Sequence, residues 1–489
     1  MRVEGRRYRD EWLPNFYPSR RVRDGYVRVS RIGTTQVLTA DEDRSVDEIS
    51  MPEDLFVRLE QSGHIVTAGN APRVLESLKV WQRRTYEGPS LHIVVLTKRC
   101  NLDCTYCHMN PEPVGAARDR YDLQPETADA IIRFALGSPS PRTTFEFQGG
   151  EPFLNFVMMR HFVAEARRQA AERGKEIGFA VTTNLMMVTD EHMEFCRENG
   201  VSISYSLNGP QDMHDRFRVT RAGHGSFEAV VKKLEDLRRR YPGMLNGSPL
   251  CVVTAENAPR LRELVEWYHE RGYTSVAIIM LKHLGNTRKH GLAFSMREFL
   301  PYYLDALDYM YEKNKAFATP YSERLLRVGL MKIMGKSNVG FVDWRNPCGD
   351  FGGAVTYDYD GAILPSDEVR SLRPAFELGN VHTDTYDGLI RRERTFHTMN
   401  LSLRDRDAAC RECAWNPYCG VLPVLDYARS GDPTPRPHES PECLFTLAVL
   451  DWTFAKMQED PIPLFRMLPG MDRWLVEAAQ ALRTEGALP

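Results

Sequence analysis

A chain of 489 residues is longer than one hydrophobic core usually serves, so two or three domains are expected. Hydrophobic residues at 42% and charged residues at 26% match an ordinary soluble globular protein, and a formal net charge of -3 argues against a nucleic-acid partner. The opening MRVEGRRYRDEWLP lacks the apolar run of a secretory signal and no apolar stretch is long enough to span a bilayer, so a cytoplasmic protein without a membrane partner is expected.

Residues 24–41, DGYVRVSRIGTTQVLTAD, alternate apolar and polar side chains around a Gly-Thr-Thr turn and predict a hairpin. The runs EDLFVRLEQSG and PRVLESLKVW then predict two short helices around a strand at HIVTA. Residues 1–88 thus read as a winged-helix-like module, suited to holding a peptide or to capping the fold. Residues 89–296 alternate strand and helix patterns. The strands are LHIVVLT, TTFEFQ, GFAVTTN, SISYSLN, LCVVT and SVAIIML, which predict an α/β fold with a parallel sheet closing into a partial (β/α)6 barrel. Chemistry in such folds gathers at the C-terminal strand ends, where the reactive residues of this chain also fall. Residues 297–345 read as a helical linker, 346–445 as a domain rich in Gly, Pro and Cys where metal ligation supplements a thin core, and 446–489 as a helical tail.

In a reducing compartment ten cysteines point to metal binding or catalysis before disulfides. Cys196 and Cys251 stand alone and read as small buried apolar side chains. Cys100, Cys104 and Cys107 follow directly on the strand LHIVVL, in TKRCNLDCTYCHMN. Three thiolates on a [4Fe-4S] cube leave one iron open to a small molecule, whereas structural zinc would recruit a fourth ligand, with His108 at hand. Late in the chain Cys410, Cys413, Cys419 and Cys443 supply four thiolates, a set that closes either an iron-sulfur or a zinc site.

The spacing C-x3-C-x2-C, with Tyr106 before its last cysteine, and FEFQGGEP at the end of the next strand resemble the radical S-adenosylmethionine (SAM) superfamily. The resemblance implies a [4Fe-4S] cluster on Cys100, Cys104 and Cys107 and a SAM site built from Tyr106, Gly149, Gly150 and Glu151, with the last three holding the methionine ammonium group. Thr183 and Asn184 in TTN, and Ser206 and Asn208 in SYSLNGP, match the strand ends that contact SAM ribose and carboxylate. Arg218 in HDRFRVTRAGHGSF matches the arginine that neutralises the carboxylate, as a guanidinium does by paired hydrogen bonds. The implied chemistry is reductive cleavage of SAM to a 5'-deoxyadenosyl radical that abstracts a substrate hydrogen.

The late cysteines resemble the SPASM extension of radical SAM enzymes that act on peptides and proteins. Two of that pattern's cysteine positions are Ser366 and Pro423 here, so one auxiliary cluster on Cys410, Cys413, Cys419 and Cys443 is expected in place of two, with Cys348 an orphan. SDEVR then occupies the vacated space. Asp367 and Glu368 become candidates for proton acceptance or substrate binding, against a plain loop-organising role, and Lys282 and His283 end the last barrel strand toward the same mouth.

Segments such as SPSPRTTFEFQGGEPFLNF, LGNVHTDTYDGL and CAWNPYCGVLPVLDYA resemble the B-type radical SAM maturase of His-Xaa-Ser systems. That resemblance implies modification of a ribosomally made precursor peptide, preferably by side-chain crosslinking, with an electron donor such as flavodoxin or ferredoxin and a companion radical SAM maturase. A sulfatase-type maturase forming formylglycine and a non-enzymatic zinc scaffold are the alternatives.

Overall fold

The computed structural model describes residues 2–468 apart from residues 4, 5, 8–11, 283, 285, 286, 288, 289, 317, 318, 336–341, 421 and 433–439. The N-terminal region opens with β1 (Trp12–Pro14), followed by an antiparallel sheet of β2 (Arg20–Val22), β3 (Gly25–Val29) and β4 (Thr35–Leu38) in that order. Helix α1 (Ala40–Asp47) starts in a capping box of Thr39 and Glu42, which satisfies two amide donors at the helix start. After α2 (Glu53–Gln61), β5 (Ile65–Thr67) pairs antiparallel with β1 and leads into α3 (Ala71–Tyr86). The hairpin and the helix-strand-helix unit stand where the alternation placed them, while β2 and α1 carry patterns too short or too polar to be read. A buried ion pair, Arg28 to Asp43 at 2.6 Å, fixes α1 on the sheet.

All six strands expected of the barrel form. They are β6 (Leu91–Thr97), β7 (Arg142–Gly149), β8 (Glu176–Thr183), β9 (Val201–Tyr205), β10 (Leu250–Val253) and β11 (Ser275–Met280). The first four lie parallel in the order β9-β8-β7-β6. Strand β6 is apolar along nearly its whole length because both its faces are covered. Strand β7 alternates: Phe145 and Phe147 meet Phe162 of α5 (Phe156–Glu172) edge-on at 4.9 and 5.4 Å, contacts worth about 1 kcal/mol each, after α4 (Pro125–Ala135) has bridged β6 to β7. Its opposite face carries Glu146 and Gln148, joined by a 2.8 Å hydrogen bond. Helices α6 (Asp190–Glu198), α7 (Phe227–Arg240) and α8 (Leu261–Glu270) complete the alternation.

Two features depart from a plain barrel. Between β9 and β10 the wall narrows to a single bridge, Ser206 to Leu250, and β10 pairs instead with β11 in a second small sheet that ends at β12 (Ser322–Glu323). On the other side, the Cys-rich region feeds β13 (Ala354–Tyr357) into the main sheet parallel to β6, followed by antiparallel β14 (Ala362–Leu364) and β15 (Gly379–Asn380). Strand pairing between distant segments carries no local sequence signature, so neither feature was legible beforehand. The stretch read as a linker forms α9 (Met296–Lys315) and α10 (Arg324–Gly335). The side chains of Phe299, Tyr303 and Leu307 on α9 belong to the same apolar core as the barrel strands. Helices α11 (Pro423–Ser430) and α12 (Pro441–Glu459) close the described chain, and Cys443 stands in the first turn of α12. Among the described residues no helix is long and apolar enough to cross a membrane.

Candidate active site

The loop bearing Cys100, Cys104 and Cys107 leaves β6 at its C-terminal end, held from two sides. On one side, the buried guanidinium of Arg99 donates to both carboxylate oxygens of Asp122, at 2.8 and 2.6 Å, and Thr97 donates its hydroxyl to the same acid at 2.5 Å. A fork of this kind fixes direction as well as distance. Sequence reading passed over Arg99 and Asp122, because nothing in their local spacing announces a pair 23 residues apart. On the other side, the loop runs beside the Arg218 segment: Asp103 N donates to Val219 O at 2.8 Å and Thr105 N to Phe217 O at 3.0 Å.

The Gly-Gly-Glu turn at the end of β7 lies on this loop. A Cβ on Gly149 would come within 2.2 Å of the Thr97 carbonyl oxygen, and one on Gly150 within 2.2 Å of that of Arg99. Both glycines are thus demanded by the close approach of two protein backbones. Glu151 follows in the same turn. Its carboxylate is fully buried and accepts from the Thr183 hydroxyl and the Asn184 amide, both at 2.8 Å, which ties the ends of β7 and β8 together. Burial pushes its pKa up to about 7, against the pull of those hydrogen bonds. Asn184 continues the chain to the cysteine loop, donating to Asn101 Oδ1 at 2.8 Å with Cys100 Sγ 3.9 Å away.

Asn208 bridges the narrow place in the wall: its side chain accepts from Val252 N at 3.3 Å and donates to Val252 O at 3.4 Å, standing in for a strand. It also donates to the Tyr106 hydroxyl at 3.1 Å, and Arg218 donates to the same oxygen at 2.9 Å. Ser206 is half-buried at the end of β9, where its amide donates to Thr183 O at 3.1 Å. Arg218 is the feature of most chemical weight. Burial opposes its charge, Tyr106 and the Cys104 and Cys100 thiols favour it, and the balance keeps the guanidinium charged. Its Nε has no partner, and among the described residues no carboxylate pairs with it. A buried cation beside three thiols, with a donor left over, is a fit for the anionic end of a small molecule bound at those thiols.

Past Cys107 the mouth is lined by charge. Lys282 donates to Glu368 at 2.5 Å, Arg370 stands 2.9 Å from Asp367, and His108 is 3.9 Å from Asp367, beyond hydrogen-bond reach. His283 lies outside the described residues. Burial raises the Glu368 pKa, but Lys282 outweighs it and holds this carboxyl well below the usual carboxylate range. A carboxylate so held is a weak base, which counts against one of the two expected proton acceptors. Asp350 went unread in the sequence and has the opposite environment. It is buried, no N–H or O–H donor reaches either carboxylate oxygen, and burial pushes its pKa up to about 7, with Glu368 adding to the rise and the Cys348 thiol opposing it. Nearby Cys348 is buried, with its amide donating to Ser402 Oγ at 2.9 Å. Ser366, also buried, has an unpartnered hydroxyl.

Cys410, Cys413, Cys419 and Cys443 come together around one cavity of about 240 Å³, although 24 positions separate the last two. That is room for about eight waters, whereas a lone zinc ion drawn in at about 2.3 Å from each sulfur would leave little space. A set of four thiols around a space of this size fits an iron-sulfur cluster. A second cavity, of about 400 Å³, reaches from Lys282 and Asp343 at the barrel mouth past Trp344, Leu422 and Phe445, and Thr446 lines both cavities.

Comparison with known proteins agrees with this geometry. The Radical SAM superfamily profile matches residues 94–268. The cysteine-type anaerobic sulfatase-maturating enzyme of Clostridium perfringens is 24% identical over 342 residues, covering 68% of this chain and 87% of its own. The serine-type anaerobic sulfatase-maturating enzyme of Bacteroides thetaiotaomicron is 23% identical over 355 residues, covering 69% of this chain and 83% of its own. Among solved structures, native anSMEcpe with bound AdoMet and Cp18Cys peptide aligns with a TM-score of 0.60 at 20% identity, over 76% of this chain and 98% of that one. Streptococcus suis SuiB bound to precursor peptide SuiA aligns with a TM-score of 0.52 at 13% identity, over 87% of this chain and 98% of that one. The shared fold, the three-cysteine loop and the buried arginine beside it point the same way: this chain carries a radical SAM domain at residues 94–268 and is a radical SAM enzyme.

Proposed function

We propose that this enzyme modifies a ribosomally made precursor peptide, forming a side-chain crosslink as expected of the His-Xaa-Ser maturase B type. The observation that carries the reading is the pair of cysteine sites: three thiols beside the partly unpartnered Arg218, and four thiols around a cavity that shares Thr446 with the cavity leading from the barrel mouth.

When bound, a [4Fe-4S] cluster and SAM supply a 5'-deoxyadenosyl radical that takes a hydrogen atom from the substrate. The protein's part is to hold and orient. Cys100, Cys104 and Cys107 bind the cluster, and Arg218, steadied by Tyr106 and Asn208, binds the SAM carboxylate. Gly149, Gly150 and Glu151 set the turn that receives the ammonium group, with Thr183 and Asn184 locking Glu151 and Ser206 available to the ribose. Cys410, Cys413, Cys419 and Cys443 would hold one auxiliary iron-sulfur cluster, which would supply an electron acceptor. The cavity of about 400 Å³ receives the substrate side chain. Asp367 is retained as a substrate contact, Glu368 as the ion-pair partner of Lys282, and Asp350 is the more basic of the buried carboxylates near them. Flavodoxin or ferredoxin supplies the reducing electron, and a companion maturase shares the precursor.

The N-terminal module has features that suit leader recognition. Strand β4 is an edge strand with Val37 exposed, and Leu13, Val57, Leu75 and Val80 of the same module are exposed apolar side chains. An extended peptide adding to such an edge is a known recognition mode.

A second reading, formylglycine formation in a sulfatase, is favoured by the coverage of the sulfatase-maturating relatives. Ser366 and Pro423 at two auxiliary-ligand positions count against it. Co-production with a precursor containing His-Xaa-Ser repeats separates the two. A product lighter by two hydrogens whose fragmentation keeps two residues joined supports the crosslink. An unmodified precursor together with a hydrazine-reactive aldehyde in a sulfatase peptide would favour the second reading.

A further inference from the structure

Arg404 begins a short 3-10 turn (Arg404–Arg406) just before the late cysteines, and its side chain is 2% exposed. It lines the same cavity as Cys410, Cys413, Cys419 and Cys443. Its Nη2 donates to Asn416 O at 2.8 Å, whereas Nε and Nη1 have no partner, and among the described residues no carboxylate pairs with it. Lys332, fully buried, donates to the Tyr418 carbonyl at 2.8 Å, and burial with the neighbouring Arg404 pushes its pKa well below the ordinary lysine value. The other cation lining this cavity, Arg20 from β2, differs in being half-exposed and already neutralised by Asp451. A buried guanidinium without a counter-charge is costly in a folded protein. The cost is offset if the cavity holds an anion, and four thiolates around a cubane carry net negative charge in either redox state.

We propose that Arg404 is a positioning and tuning residue for the auxiliary cluster, raising its reduction potential so that it accepts an electron more readily. Reduction adds one electron and therefore one negative charge to a site that cannot move away from the guanidinium. A fixed buried cation stabilises the more negative, reduced form over the oxidised one. The two unpartnered nitrogens are in position to donate to cluster or cysteine sulfur, which strengthens the same preference. The proposal rests on the reading that the late cysteines hold iron and sulfur.

The test uses the full chain with Cys100, Cys104 and Cys107 all changed to Ala, so that only the late site can carry a cluster. Iron, sulfide and zinc are measured first, and then a dithionite titration is followed by electron paramagnetic resonance in the parent and in Arg404→Met, Arg404→Lys and Lys332→Met. The expected result is that Arg404→Met becomes at least tenfold harder to reduce, a downward shift of about 59 mV or more for one electron. Arg404→Lys and Lys332→Met should each shift less than Arg404→Met. If Arg404→Met fails to retain iron while Arg404→Lys retains it, the charge requirement stands. An iron-loaded Arg404→Met at the parent potential, or equal iron loss from both Arg404 variants, would overturn the proposal. Zinc without iron in the parent would instead sink the auxiliary-cluster reading beneath it.

Discussion

The two cysteine sites are built on one pattern with a different outcome. Each sets thiols beside a buried arginine that keeps an unpartnered donor, Arg218 at the first and Arg404 at the second. At the first site, however, only three cysteines are offered, and Tyr106 and Asn208 hold the arginine so that its free donor serves a molecule arriving from outside. At the second, four cysteines line the cavity, and the N-terminal region packs beside it. The Arg20 guanidinium bonds Asp451, which also accepts from the Trp415 indole at 2.9 Å, while Tyr418 donates to the Gly33 carbonyl at 2.8 Å. The contrast teaches that the count of thiols and the cover over them, more than the local charge, separate a site that binds substrate-like cofactor from one that only carries electrons.

The comparison breaks most sharply at Cys104. Cys104→Ala should abolish 5'-deoxyadenosine formation while iron at the late site persists, and loss of both clusters together would mean that the sites are not independent. Next is Arg218→Met, expected to weaken SAM binding at least a hundredfold, about 3 kcal/mol for a buried charge-assisted pair, with partial recovery in Arg218→Lys. Calorimetric titration of SAM onto the iron-loaded chain reads this directly, and undiminished affinity would remove Arg218 from the site.

Smaller effects sharpen the account. Gly150→Ala should destabilise the barrel by about 1–3 kcal/mol, because its Cβ would meet the Arg99 carbonyl and the two loops must part. The midpoint of urea unfolding measures it. Asp350 supplies a pH signature. Its folded pKa, at about 7, lies above the ordinary Asp value of about 3.9, so its contribution to stability is fully present below about pH 4 and is lost as pH rises through about 7. Asp350→Asn removes that loss and should melt higher than the parent at pH 8, by something on the order of 2 kcal/mol, with the advantage vanishing near pH 4. Glu151 has the same sign and window, but its loss also breaks the bonds to Thr183 and Asn184. A pH-independent difference for Asp350→Asn would mean that its carboxyl is not buried unpaired.

Much of this was legible in the residues. Strand β6 reads as a buried run because it is covered on both faces, and the Cys-x3-Cys-x2-Cys and Gly-Gly-Glu-Pro segments lie at strand ends where their order placed them. What escaped notice depends on contacts between distant segments. The Arg99 to Asp122 fork, the addition of β13 to the main sheet and the buried carboxyl of Asp350 are properties of the assembled interior. The bonds from Thr183 and Asn184 to Glu151 are likewise visible only once β7 and β8 lie side by side.

The central claim, an open cluster that cleaves SAM beside a closed one that does not, is tested most directly by anaerobic reconstitution with iron and sulfide followed by dithionite and SAM. The account predicts about eight irons per chain, two cubanes, with 5'-deoxyadenosine formed, and about four irons with none formed in the variant lacking Cys100, Cys104 and Cys107. A colourless, zinc-loaded protein, or 5'-deoxyadenosine formed without those three cysteines, would contradict it.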